Sequence, residues 1–79
     1  MPPAHRNDFR WNEWNREQVE KHGLTVEEVQ RVVRFAAHPW PRHYKRRGWE
    51  VRGRTSTGRA IIVYYWVGSD DRIFVYHAM

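Results

Sequence analysis

Residues 49–78 contain three runs dense in β-branched and aromatic side chains, 49–56, 59–67 and 72–78, with only Thr57-Gly58 and Gly68-Ser69-Asp70-Asp71 between them. Gaps this short join strands only as antiparallel neighbours, because a parallel crossover needs a dozen residues or more. The last third of the chain therefore reads as a three-stranded antiparallel meander, and the residues before it must supply the cover such a sheet needs. A two-residue turn at 57–58 sets Arg52 opposite Val63, and a four-residue loop at 68–71 then sets Val63 opposite Tyr76. In that register one face carries Trp49, Val51, Gly53, Ile62, Tyr64, Trp66, Ile73, Val75 and His77. The other carries Glu50, Arg52, Arg54, Ile61, Val63, Tyr65, Phe74 and Tyr76. Neither is polar throughout, so helices are expected to cover one face and the other must have a use.

Two helices are legible upstream. Asn12 and Asn15 are both credible N-caps, and Asn15 with Gln18 makes a weak capping box for a helix over 13–22 that stops at Gly23. Its apolar stripe, Trp14 and Val19, is narrow. The second helix is more sharply marked, with Thr25 and Glu28 as a capping box and Leu24 and Val29 as a hydrophobic staple. Val29, Val32, Val33 and Ala36 recur at helical spacing as its buried stripe. The expected fold is α+β, two N-terminal helices packed on a three-stranded meander, in one domain over 9–79 behind a loose arm at 1–8. Phe9-Arg10-Trp11 reads as a short extended segment or a plug against the sheet.

The chain has no cysteine, which fits a cytoplasmic protein, and its N-terminus has no signal-like apolar run. Its longest apolar run, 60–67, is too short to span a bilayer, so no membrane partner is expected. Fourteen Lys and Arg against nine Asp and Glu leave a net charge of +5, and all the cations but Lys21 and Lys45 are arginine. A guanidinium grips phosphate with two parallel hydrogen bonds, so this balance points to a polyanionic partner. The plainer reading is a solvated cationic surface over an aromatic core. Residues 38–48 interleave Trp40, Arg42, His43, Tyr44, Lys45, Arg46 and Arg47 after two prolines. Rings that stack bases beside charges that follow a backbone suit single-stranded RNA, and an ordinary crossover loop is the competing reading.

Phe9-Arg10-Trp11-Asn12, Lys21-His22-Gly23, Thr25-Val26-Glu27-Glu28, Pro41-Arg42, Val51-Arg52-Gly53-Arg54-Thr55, Gly58-Arg59 and Val75-Tyr76-His77-Ala78 follow one another in an order that resembles the BrnT-like toxins of bacterial toxin–antitoxin modules, whose fold is similar to the RelE ribonucleases. The resemblance covers about residues 9–78. It implies metal-independent RNA cleavage, no cofactor, and a cognate antitoxin as protein partner. It also implies a basic C-terminal helix after the third strand, which a chain stopping at Met79 lacks.

Cleavage of this kind needs a base for the ribose 2′-hydroxyl, cations for the phosphorane and an acid for the leaving 5′-oxygen. Arg52 and Arg54, two apart on one strand, are the expected phosphate clamp. His77 and Tyr65 are the expected proton-transfer candidates, with His22 as a further acid or base and Tyr76 as the alternative to Tyr65 for a proton or a stacking ring; Lys21, His22, Arg42, Tyr44 and Arg59 are the expected RNA-binding residues. In the register above, His77 lies on the face opposite the arginine pair and shares its site only if a bulge shifts one strand. His77 as a partly buried strand histidine is the plainer alternative. No HExxH-type spacing or glycine-rich phosphate loop occurs, so no metal site is expected. A non-catalytic RNA-binding or protein-interaction module of the same fold remains the other reading. An exposed third strand would also allow edge pairing with a second copy, giving a homo-oligomer.

Overall fold

Two reciprocal capping boxes fix where the helices begin. The computed structural model describes residues 8–46 and 48–79, with α1 (Glu13–Glu20), α2 (Val26–Arg34), β1 (Arg42–Tyr44), β2 (Gly48–Arg54), β3 (Ala60–Val67) and β4 (Ile73–Ala78). At α2 the Glu28 N–H donates to Thr25 Oγ1 at 3.1 Å and the Thr25 N–H donates to Glu28 Oε1 at 2.9 Å, the expected box. At α1 the cap is Asn12 rather than Asn15. Asn15 occupies the third helical position, donating its N–H to Asn12 Oδ1 at 2.9 Å and accepting the Asn12 N–H at 2.7 Å. Asn15 is fully buried, and its Nδ2 donates to the Arg10 carbonyl at 2.9 Å, so its polar atoms are satisfied in the interior.

The chain is α+β, with a four-stranded antiparallel sheet in the order β1-β2-β3-β4. The strand beyond the expected three is β1, inside the stretch read as a basic crossover. Three residues are too few to show an alternating pattern. Its hairpin with β2 pairs Tyr44 with Gly48, and a Cβ at Gly48 would lie 2.6 Å from the Tyr44 carbonyl oxygen. Only glycine fits that approach.

The register of β3 differs by one residue from the expected one. Gly58 N–H donates to the Thr55 carbonyl and Thr55 N–H to the Arg59 carbonyl, both at 2.9 Å, and Gly58 has φ 88. This is a three-residue loop with a left-handed glycine, not a two-residue turn. Arg52 therefore faces Ile62 and Val51 faces Val63. The next loop repeats the device with Asp71 at φ 63, Asp71 N–H bonding to the Gly68 carbonyl and Gly68 N–H to the Arg72 carbonyl. A one-residue slip turns every side chain over. Ile61, Val63 and Tyr65 thus join Val51, Ile73 and Val75 beneath α2, while Tyr64 and Trp66 join Glu50 and Arg52 on the outer face.

Beneath the sheet, Val29, Val32 and Val33 of α2 meet Val51, Ile61, Val63 and Tyr65 in one core, with Val19 and Leu24 also buried. Burial of each such aliphatic side chain contributes about 1.5–3 kcal/mol. The two helices touch each other and share one buried core, Val19 of α1 joining Val29, Val32 and Val33 of α2. α2 packs on β2 and β3, whereas α1 packs chiefly along β4. Trp14 of α1 stacks on Phe74, which belongs to the outer face. Phe9 is buried and bridges Ile73 in parallel, so the 9–11 segment is both extended and packed. Of the expected arm at 1–8, residues 1–7 lie outside the described residues. Asp8 accepts the Ile73 N–H at 2.8 Å and pairs with Arg72 at 3.2 Å. Among the described residues no helix is long and apolar enough to cross a membrane.

Candidate nucleic-acid interface

The outer face is built by the two loop registers and by a bulge. Tyr65 pairs with Val75 but Tyr64 pairs with His77, so β4 has one residue more than β3 at this point. The bulge turns Tyr76 and His77 to the same side. His77 therefore shares the outer face with Arg52 and Arg54, which the expected register denied it. Glu50, Tyr64 and His77 form one row across three strands, and Arg52, Ile62 and Met79 form the next, the last two joined by paired backbone bonds of 2.8 and 3.0 Å.

Aromatic rings run continuously along this face. Trp66 stacks between Phe74 at 5.2 Å and Tyr76 at 4.6 Å; Tyr64 lies 6.4 Å from Tyr76, 6.0 Å from His77 and 4.5 Å from Tyr44. The rings line an open groove of about 1070 Å³ whose β1 side carries Lys45 and Arg46. On the β4 side His22 sits edge-on to His77 at 5.5 Å. Burial, then the nearby His22 and Lys21, hold His77 below the ordinary imidazole pKa, so it is neutral at pH 7. Burial also raises the Tyr64 and Tyr76 phenols above their ordinary value. At Tyr64, Glu50 and Tyr44 add to this and Arg52 partly offsets it. Both phenols remain protonated donors near neutrality.

The expected residues divide into two groups. His77, His22, Lys21 and Tyr44 gather around the groove. Arg42 and Arg52 lie on the same face, their guanidiniums 5.8 and 5.6 Å from the Trp40 ring. Arg52 Nε also pairs with Glu50 at 2.6 Å, and its side chain remains 55 % exposed, so a ligand phosphate can compete for it. Arg54 donates to the Gly58 carbonyl at 2.9 Å. The other two stand apart. Tyr65 is fully buried, on the face opposite the groove and sealed from solvent. The Arg59 guanidinium donates to the His22 carbonyl at 2.7 Å and the Gly23 carbonyl at 3.3 Å, where it satisfies the open end of α1.

Glu50, Tyr64 and Trp66 complete the face, and sequence reasoning assigned them no role in it; Tyr76, named as an alternative to Tyr65 for a proton or a stacking ring, lines the groove as well. The signal was present in the alternation Tyr64, Trp66 beside Phe74, Tyr76, but the assumed turn length put the two pairs on opposite faces. Among the described residues no group of three or more His, Asp or Glu is gathered in metal-binding reach. Comparison with protein-family models, curated proteins and solved structures gave no match for this chain. What fold and face define is a class: a small basic α+β domain with an aromatic sheet face turned away from its second helix.

Proposed function

We propose that this chain binds single-stranded RNA on the outer face of its sheet and cuts it there without a metal, as the toxin of a bacterial toxin–antitoxin module. The observation that carries the reading is the unbroken run of rings from Phe74 to Tyr44, with a neutral histidine beside it and cations on both flanks. Bases stack on Tyr44, Tyr64 and Trp66, each stack contributing about 1–3 kcal/mol, while Lys45, Arg46 and Lys21 follow the phosphates. Neutral His77 takes the proton from a ribose 2′-hydroxyl. The 2′-oxygen then attacks phosphorus, Arg52 neutralises the phosphorane, and the bond to the 5′-oxygen breaks as His22, acting as the general acid, gives a proton to it. The resemblance to BrnT-like toxins supports the toxin assignment and the expectation of an antitoxin.

Purified protein incubated with single-stranded RNA in excess chelator tests this. The account predicts cleavage that His77→Gln slows by about 10²–10⁴-fold with RNA binding retained. The wild-type rate falls on acidification as His77 takes up a proton. A second reading, the same RNA-binding face without cleavage, is favoured by the internal contacts of Arg52 and Arg54. RNA bound but left intact by the wild type, with unimpaired growth of bacteria expressing it, selects that reading. Absence of RNA binding defeats both.

A further inference from the structure

A second surface lies at the edge of β2, away from the aromatic groove. Thr55 N–H donates to the Arg59 carbonyl at 2.9 Å, so alternate β2 residues, Val51 and Gly53, direct their backbone groups to β3. Arg52 and Arg54 direct theirs the other way. There β1 partners only residues 48–50 of β2. The ladder ends because Trp40, the residue that would pair with Arg52, gives its N–H to the Ala37 carbonyl at 2.9 Å. Among the described residues no strand lies beside Arg52 and Arg54. A cavity of about 220 Å³ opens between this edge and the end of α2, with Val32, Phe35, Ala36 and Gly53 as apolar walls. Phe35 is 68 % exposed there, and Arg31, 5.4 Å from its ring, lines the same cavity as Arg52 and Arg54. No carboxylate lines it.

We propose that the β2 edge accepts an extended acidic peptide segment of a partner protein, added as a further strand. Its main chain bonds to the N–H and C=O groups of Arg52 and Arg54, one apolar side chain fills the cavity against Phe35, and flanking carboxylates meet Arg31 and Arg54. A peptide suits this edge better than RNA does. The unpaired backbone groups of Arg52 and Arg54 repeat every second residue, as an added peptide strand requires and a ribose–phosphate chain does not match, and the single ring at the cavity, Phe35, is one wall beside Val32 and Ala36. The surface is independent of whether the aromatic face cuts RNA.

The test titrates the full chain with an array of short peptides alternating Val, Ile or Leu with Asp or Glu, and follows backbone amide exchange by NMR. The expected result is binding that slows exchange at the Arg52 and Arg54 amides. Arg31→Glu should weaken it by about tenfold or more and favour peptides with Lys in place of the acids. If no peptide in the array slows exchange at these two amides, the proposal is overturned. It is equally overturned if protection maps to Trp66 and Tyr76, or if single-stranded RNA protects the β2 edge as well as the peptides do.

Discussion

Glycine at 48 and histidine at 77 are the two positions where a single side chain decides most. At Gly48 an added methyl meets backbone rather than a movable side chain. Gly48→Ala should therefore cost about 1–3 kcal/mol, read as a lower urea midpoint. His77 has a folded pKa below its unfolded one, so between the two values the unfolded chain binds a proton that the folded chain refuses. Stability is then fully present above about pH 6.5 and declines as pH falls through that unfolded value toward the folded one. Urea midpoints should drop over this window, and His77→Gln should flatten the drop. Gly48 was not legible beforehand, whereas His77 was a named candidate whose face was left conditional on a bulge. Gly48 depends on a hairpin partner hidden in a basic stretch, and His77 depends on a bulge that strand alternation does not encode.

At the level of elements, the local signals that were strong held. The Thr25–Glu28 box forms as expected, Leu24 and Val29 are both buried in the core, and Thr25→Ala should cost about 0.5–2 kcal/mol of stability in thermal or urea unfolding. The three long strands also lie within two residues of their expected limits. The failure lay in the loops between them. Thr57-Gly58 and Gly68-Ser69-Asp70-Asp71 mark turns, but their composition does not reveal that each closes as a three-residue loop with a left-handed residue, one longer than assumed at the first and one shorter at the second. Because each loop departs by one residue, the two slips cancel for β4 relative to β2, and only β3 is inverted. That is why Tyr65 was placed among the candidate site residues and Tyr64 was not. At α1 two asparagines competed for one cap, and burial of Asn15 against the Arg10 carbonyl decided between them.

For the whole molecule, 79 residues imply a stability of roughly 4–12 kcal/mol, and the core under α2 must supply most of it. The sheet thus has a division of labour, chiefly aliphatic below and aromatic above, with Lys45 and Arg46 at the rim of the groove and Arg42 and Arg52 on the same face. The α+β class and the cationic surplus could be read from the chain. Which face carries the rings could not, since that follows from long-range pairing rather than from any local pattern. Binding through such a rim should weaken steeply as salt rises. The most direct test of the account is backbone chemical-shift mapping with a single-stranded RNA oligonucleotide. The account predicts that the largest changes fall at Tyr44, Tyr64, Trp66, Tyr76 and His77, with Val29, Val32 and Val33 of α2 unmoved. Changes concentrated on α2, or an outer face left unperturbed by RNA that binds, would contradict it.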